Sequence, residues 1–173
     1  ELVVAMTIIG ILVLLAAPDI SSTIKKSKVQ DCAKRLASDI TMARTSAQAN
    51  GQRAMVVISK NTTYDFNGDG YQEHFFAFLD KFRNSRYDSG DTLVARDTCN
   101  NNVLMTTPTA SDSASLPNCS NFSNAQCLTF STLGALLSNA TIDNSVQMIY
   151  NDGTSNHQVR VVIVSLVGHT KTQ

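Results

Sequence analysis

The stretch DFNGDGYQE carries oxygen-bearing side chains and glycines in the order of a calcium-binding loop. Such a loop has twelve positions and places hard oxygen ligands at alternate ones, around a glycine turn. The matching residues, at positions one, three, five, six and nine, are Asp65, Asn67, Asp69, Gly70 and Glu73. Position twelve, which normally holds a bidentate glutamate, is Phe76; Asp80 or Asp88 could replace it only if the fold brings one near. Two interpretations stay open: a calcium site, or a hairpin turn of residues that tolerate positive φ.

Four cysteines are the next candidates for chemistry, and they are Cys32, Cys99, Cys119 and Cys127. Their spacing lacks the C-x-x-C pairs of zinc ribbons and thioredoxin-type sites, and the C-x-x-C-H of covalently attached haem. Disulfides are favoured if the domain lies outside the cytoplasm. Four cysteines allow three pairings, and the sequence does not choose among them. The alternative is buried free thiols, for which Cys32 on a helix face is the best candidate.

The remaining polar residues form no recognisable catalytic constellation. His74, His157 and His169 lie in or near polar stretches, and no motif pairs them with serine or cysteine. Fourteen basic residues balance fourteen acidic ones in 173 residues. This balance gives no overall field that would gather nucleic acid or anionic lipid. We therefore expect a protein that is not an enzyme, with no cofactor other than calcium.

The N-terminal segment is the most unusual part of the chain. One glutamate is followed by sixteen uncharged, mostly apolar residues, numbers 2–17, and then by Pro18. A membrane-spanning helix needs about 20 such residues, so this run is slightly short. A secretory signal peptide would begin with basic residues, whereas this segment begins with Glu1.

The segment ELVVAMTIIGILVLLAAPDI resembles the N-terminus of type IV pilins and type II secretion pseudopilins, whose mature chains usually begin F-T-L-I-E-L. In this resemblance Glu1 is the hallmark glutamate, and Gly10 and Pro18 match the helix-weakening glycine and proline. The four apolar residues expected before Glu1, and the basic leader before them, are absent. We therefore expect that this sequence is truncated before Glu1, because four more apolar residues would give a membrane-spanning length.

The resemblance implies that the helix occupies two environments in turn. It would anchor the chain once in the inner membrane, with the C-terminal domain outside the cytoplasm, and later enter the core of an extracellular or periplasmic filament. Glu1 would pair with the N-terminal ammonium of a neighbouring subunit, because a lone carboxylate at the hydrocarbon boundary is costly. Gly10 and Pro18 would bracket a stretch that can lose helical hydrogen bonds during assembly. The implied partners are further copies of the chain, other pilins or pseudopilins, prepilin peptidase and an assembly platform. The alternative is a simple signal anchor.

A helical period continues after Pro18. The apolar positions that recur at mostly three- or four-residue steps are Ile20, Ile24, Val29, Cys32, Leu36, Ile40, Ala43 and Ala47. They predict an amphipathic helix that packs on a sheet and stops at Asn50-Gly51. The stretch CAKRLASDITMARTSAQAN resembles the corresponding helix of GspH/FimT-type pseudopilins. CLTFSTLGALL and VVIVSLVGHT resemble later segments of the same family, though less specifically.

The second half of the chain has a β pattern. Short runs rich in β-branched and aromatic residues alternate with turn signals, and predict antiparallel hairpins. Together these patterns predict an α+β pilin fold, in which a long N-terminal helix packs on a C-terminal antiparallel sheet. The predicted divisions are an apolar helix segment over residues 1–18, an amphipathic helix over 19–52, and a β domain over 53–173. A polar surface loop at about residues 98–126 is expected to be pinned by a disulfide.

The predicted function is that of a structural subunit of a type IV pilus-like or pseudopilus filament. The alternative is a minor pilin that acts as a binding module for DNA uptake or adhesion at the filament tip. Relatives that take up DNA carry a basic G-R-x-R turn near the C-terminus, where this chain has Gly168, His169, Thr170 and Lys171. Only Lys171 keeps a fixed positive charge there, so this feature argues against a nucleic-acid partner. The sequence leaves open a major or a minor subunit, and a pilus or a secretion pseudopilus.

Overall fold

The computed structural model describes residues 2–60, 63–100, 102–106, 114–115, 118–137, 144–151, 158–163 and 170–172. One helix, α1 (Leu2–Asn50), is followed by nine strands in this part of the chain. The strands are β1 (Arg53–Ser59), β2 (Phe75–Asp80), β3 (Thr92–Asp97), β4 (Val103–Thr106), β5 (Ala114–Ser115), β6 (Ala125–Phe130), β7 (Asn144–Tyr150), β8 (Gln158–Ile163) and β9 (Thr170–Thr172). The α+β prediction, a long helix followed by β structure, is confirmed.

Helix α1 is continuous over 49 residues and contains both Gly10 and Pro18. Its end at Asn50 was predicted from the Asn-Gly pair and is confirmed. Gly51 adopts a φ of 60°, which costs a glycine little, and the Gln52 amide donates to the Ala47 carbonyl. This is the glycine-terminated cap that satisfies the last free carbonyls of a helix.

The second half of α1 buries the predicted apolar face. The predicted residues that are buried there are Val29, Cys32, Leu36, Ile40, Ala43 and Ala47. The prediction was wrong for Ile24, whose side chain is 50% exposed. Among the described side chains of α1, Val29 is the first that is buried, although the apolar period runs through both Ile24 and Val29. The side chain of Ile20 is outside the described part of the structure.

The first sheet has the strand order β3-β2-β1-β6, and all its neighbouring strands are antiparallel. Both of its faces are covered, which explains the uninterrupted apolar runs MVVI and FFAFL. The residues packed in the core with α1 include Val56, Ile58, Phe75, Leu79, Leu128 and Phe130. Those on the opposite face, under the loops, include Met55, Val57, Phe76, Phe78 and Cys127, which pack with Phe66 and Phe122.

The second sheet has the order β4-β7-β8-β9, and the short β5 pairs with β7 in parallel. Strands β4, β5 and the start of β6 lie in the region predicted as a polar loop, so that prediction was wrong for these residues. The asparagine-, serine- and threonine-rich composition obscured the signal. In β4 only Val103 and Met105 are buried, and their pairing partner β7 lies some 40 residues further along the chain. A strand that short is stabilised by its partner more than by its own sequence.

Candidate functional site

The first three turns of α1 present an apolar surface that no other described part of the chain covers. Eight large side chains there are each more than half exposed: Leu2, Val3, Val4, Met6, Ile8, Ile9, Ile11 and Leu12. The one polar side chain among residues 2–12 is Thr7, whose hydroxyl donates to the Val3 carbonyl at 2.7 Å. Its hydrogen-bonding need is thus met inside the helix, as an apolar environment requires. A contiguous exposed surface of this kind marks a site of association with another apolar phase.

The three predicted assembly residues have different positions relative to this surface. Gly10 lies within it, and an added Cβ would meet no atom within 4 Å. Pro18 lies in the continuous helix, and Glu1 lies outside the described residues. Among the side chains that the structure describes, no helical window is long and apolar enough to cross a membrane.

All four cysteines form disulfides, which confirms that prediction and excludes the free-thiol alternative for Cys32. Cys32 on α1 pairs with Cys99, which follows β3, and their Cα atoms are 5.4 Å apart. Cys119 pairs with Cys127 on β6, with a Cα separation of 5.2 Å. The first bond ties the helix to the sheet, and the second closes a short loop over the outer face of the first sheet.

The predicted calcium loop, residues 65–73, is called the acidic loop below. The Asp65 carboxylate lies at its centre and accepts hydrogen bonds from the backbone amides of Gly68, Asp69 and Gly70 at 2.7–3.2 Å. The loop closes where Tyr64 and Glu73 exchange backbone hydrogen bonds at 2.9 Å. The glycines at 68 and 70 have φ of 76° and 86°, so the backbone here is a tight turn. Both sequence interpretations, turn and cation loop, are compatible with this geometry.

Arg96 and the buried Glu73 complete the acidic loop, and the sequence pattern gave no signal for Arg96. The Arg96 guanidinium donates to Asp69 Oδ2, lies 3.9 Å from Glu73 Oε1, and stacks on the Tyr71 ring at 4.8 Å. Glu73 is fully buried, and burial raises the pKa of its carboxyl. Hydrogen bonds from the Tyr71 amide and Asn67, together with Arg96, lower the pKa of Asp69.

The carboxylates considered as substitutes at position twelve belong to a neighbouring loop. Asp80 is buried and accepts from Arg53 at 2.6 Å and from the Asn84 and Ser85 amides. Asp88 accepts from the Asn84 side chain at 2.6 Å. Both carboxylates are therefore held by hydrogen bonds to Arg53, Asn84 and Ser85, and neither contributes to the acidic loop. Among the described residues, no group of three His, Cys, Asp or Glu side chains is gathered closely enough to hold a metal ion.

A second charged cluster lies where α1 meets the first sheet. Asp39 is 8% exposed, and its Oδ2 has no hydrogen-bond partner among the described groups. Nearby, Arg35 pairs with Asp97 at 3.0 Å. Burial, followed by the negative charge of Asp97, raises the pKa of Asp39 to about 6, against the opposing effect of Arg35. The sequence included Asp39 only in a family resemblance and did not indicate its burial.

The histidines do not assemble a catalytic site in the described structure. The buried ring of His74 accepts a hydrogen bond at Nδ1 from the Cys99 amide at 3.1 Å, which orders the chain beside the disulfide. Burial lowers the pKa of His74, which favours the neutral ring. His157 and His169 lie outside the described residues. Lys171, the other residue of the predicted DNA-binding turn, lies in β9 and pairs with Val162.

These observations define the class of protein as pilin-like: a long helix, exposed and apolar at its start, whose second half packs on antiparallel β-sheet. Residues 33–168 match the family model of the type II transport protein GspH, and the chain belongs to this family. The predicted type IV pilin and pseudopilin superfamily is thereby confirmed. Its family and fold are those of structural pilins and not of enzymes.

Comparison with individual proteins is less informative than the match to the family model. No curated protein sequence matches the chain. One similar solved structure is the crystal structure of the type IV minor pilin FimU from Pseudomonas aeruginosa strain PAO1. It has a TM-score of 0.48 and 13% sequence identity, over 85% of this chain and 89% of that one.

Proposed function

We propose that this chain is a structural subunit that is held in the inner membrane by its N-terminal helix and is then polymerised through the same helix. The observation that supports the proposal is the exposed apolar surface of residues 2–12. Full burial of one large apolar side chain contributes about 1.5–3 kcal/mol. Eight such side chains, each more than half exposed, give a large driving force for leaving water.

The bilayer and the filament core offer the same solvation to this surface. In both, neighbouring groups are hydrocarbon, so transfer between them exchanges apolar contacts for apolar contacts. Thr7 suits either environment because its hydroxyl bonds within the helix. The side chains of residues 2–12 are all exposed, and Val29 is the first buried side chain of α1 among those described, so residues 2–12 are available to pack against other copies.

Glu1 is assigned the role of fixing the register between neighbouring subunits. A carboxylate beside hydrocarbon is stabilised by an opposite charge, and the N-terminal ammonium of the next subunit would supply it. Gly10 and Pro18 would allow the helix to lose hydrogen bonds locally as it leaves the bilayer, because both weaken a helix interior.

The experiment replaces Glu1 by alanine in cells that hold the assembly machinery, with Asp31→Ala as the matched control. Asp31 is an exposed carboxylate on the same helix. We expect Glu1→Ala to remain in the membrane fraction while sheared filaments fall at least about tenfold, as loss of a charge pair in an apolar setting implies. Asp31→Ala should assemble normally. Normal filaments from Glu1→Ala would refute the role of Glu1.

Immunogold labelling of the wild-type chain separates the two kinds of subunit. Labelling along the whole filament is expected for a filament-building subunit. Labelling confined to filament ends would replace that assignment with a minor tip subunit. Absence of the chain from filaments and from the membrane fraction would refute the proposed function as a whole.

A further inference from the structure

The strand pairing gives the β domain two opposite ends. Arg53 opens β1 and pairs with Asp80, the last residue of β2, and the last residue of β6 lies at the same end. The loop at residues 80–91 and the turn at residues 131–137 therefore lie together, and their end is called the distal end. The acidic loop connects the other ends of β1 and β2, at the proximal end. The two ends are about 20 Å apart, the length of a seven-residue strand.

Helix α1 runs from the proximal end to the distal end. Near its last turn, the Gln48 side chain donates to the Leu133 carbonyl of the distal turn. Earlier in the helix, Cys32 is bonded to Cys99, which follows β3 at the proximal end. The exposed apolar residues end at position 12, about 30 Å before Cys32 along the helix. The apolar start of α1 therefore projects beyond the proximal end. When such helices pack in parallel, the distal end of one copy faces the proximal end of another.

Arg83 is an exposed cation at the distal end. Its guanidinium makes no hydrogen bond or ion pair with any described residue. It lines a cleft whose other lining residues are Arg53, Ser131, Thr132 and Leu137. Arg53 is paired with the buried Asp80 at 2.6 Å. The unbalanced positive charge of this cleft is therefore that of Arg83.

The backbone holds Arg83 in place before any partner arrives. Arg83 and Ser85 have φ of 56° and 60°, a conformation that costs free energy in residues other than glycine. The Asp80 carboxylate stabilises it by accepting from the Asn84 and Ser85 amides at 3.1 and 2.9 Å. A side chain on a loop that is already ordered loses little conformational entropy on binding, which suits a contact residue.

The proximal end carries the opposite charge. In the acidic loop Asp69 pairs with Arg96, whereas Asp65 pairs with no cation among the described residues. Backbone amides hold the Asp65 carboxylate without neutralising it. Arg83 of the same chain cannot reach this loop, because the length of the sheet separates them. The negative charge is thus available to a cation from another molecule.

Both ends also expose large apolar or aromatic side chains beside their charges. At the distal end these are Phe82, Leu133 and Leu137, and each is more than half exposed. At the proximal end they are Tyr64 and Tyr71, which lie at the acidic loop and are each more than 40% exposed. Tyrosine and arginine are the residue types enriched in protein–protein contacts. The two ends therefore match one another in charge and in apolar character.

We propose that the distal end of one copy docks on the proximal end of the next copy, with Arg83 against the acidic loop and the exposed leucines against Tyr64 and Tyr71. This inference rests on the proposed function, because it names a second surface through which filament subunits meet. The two surfaces differ, so each copy contacts one neighbour at each end. A heterologous interface of this kind builds an open helical filament when the rotation does not close a ring.

The first test changes the charge of Arg83 in cells that hold the assembly machinery. Arg83→Glu should reduce the yield of sheared filaments at least about fivefold, because like charges opposed at an interface repel. Arg83→Lys is the matched control, which keeps the charge and should assemble like the wild type. Both variants should keep the wild-type thermal melt in detergent, because Arg83 has no partner among the described residues of its own chain. Normal filaments from Arg83→Glu, or equal losses from both variants, would overturn the proposal.

The second test detects the contact in filaments whose charges are unchanged. Leu137 lines the cleft and is 55% exposed, so photoreactive p-benzoylphenylalanine can replace it. Irradiation should crosslink two copies, and mass spectrometry of the dimer should place the attachment at residues 64–73. Attachment elsewhere, or no crosslinked dimer, would overturn the proposal. This result is also the deciding one if Arg83→Glu does not fold.

The docking surface and the proposed function fail in different ways. If the wild-type chain builds filaments but the crosslink lies elsewhere, the docking surface is wrong and the role of α1 stands. If the wild-type chain is found at filament ends alone, the docking of copies is overturned and the chain remains a pilin-like subunit. If it is absent from filaments and from the membrane fraction, both proposals are refuted.

Discussion

Asp39 is expected to destabilise the folded protein at neutral pH, although it lies in the stretch that most resembles the family. The carboxylate is buried between the helix and the first sheet, and one of its oxygens has no hydrogen-bond partner among the described groups. Its pKa rises from the ordinary 3.8 to about 6, mainly through burial and then through Asp97. The perturbation that tests this reasoning is Asp39→Asn, which keeps the shape and removes the charge.

The sign follows from proton binding in the two states. Below pH 4 the carboxyl is protonated in both the folded and the unfolded chain, so its contribution to stability is fully present. Between pH 4 and 6 the folded state holds a proton that the unfolded state has released, so the free energy of unfolding decreases as the pH rises. One pH unit of pKa difference corresponds to about 1.36 kcal/mol. The loss above pH 6 is therefore about 3 kcal/mol.

Asp39→Asn should consequently be more stable than the wild type at pH 8, by up to about 3 kcal/mol, and similar to it at pH 4. Urea denaturation of the disulfide-bonded chain in detergent, followed by far-ultraviolet circular dichroism, measures this difference. Glu73 and His74 also have shifted pKa values, but their contributions cancel when the variant is compared with the wild type. Asp31→Asn serves as the exposed control and should change neither stability nor its pH dependence. A variant that is less stable than the wild type at pH 8 would show that the carboxylate has a stabilising partner and would refute the reasoning.

Two further predictions concern elements that the tertiary structure holds in place. Replacing both Cys32 and Cys99 by serine should lower the free energy of unfolding by about 4 kcal/mol, because this disulfide closes the longer loop of the chain. Removing the Cys119–Cys127 disulfide, which closes the shorter loop, should lower it by about 2.5 kcal/mol. Equal losses for the two variants in urea denaturation would contradict the loop-length argument. Gly134→Ala should destabilise the chain by about 1–3 kcal/mol, because its φ is 73° and the new Cβ would lie 2.7 Å from the Gln48 side chain. The control is Gly68→Ala, because Gly68 has a similar φ but an added Cβ there would meet no atom within 4 Å. Only the backbone cost of about 1 kcal/mol should therefore apply to the control. Thermal melts that give the same loss of stability for both variants would show that the clash with Gln48 contributes nothing.

The sequence by itself determined the elements whose signals are local. The apolar period of α1, its stop at Asn50-Gly51 and the β-rich runs each act within a few residues, so pattern and propensity suffice to predict them. The strongly apolar β1 and β2 were predicted for the same reason. The unusual N-terminal run was sufficient to suggest the superfamily, because Glu1, Gly10 and Pro18 within one apolar segment match the family pattern.

Only the tertiary structure decided which distant residues meet. The disulfide pairing joins residues 32 and 99, and β4 forms because β7 lies beside it; neither fact is encoded within a local window. Arg96 reaches the acidic loop because β3 pairs with β2. Asp39 is shielded from solvent because the sheet covers that side of α1. Charge, burial and pKa depend on such long-range contacts. The acidic loop was thus visible in the sequence as a set of oxygen-bearing side chains, whereas the burial of Glu73 and its ion pair with Arg96 emerged only when the strands came together.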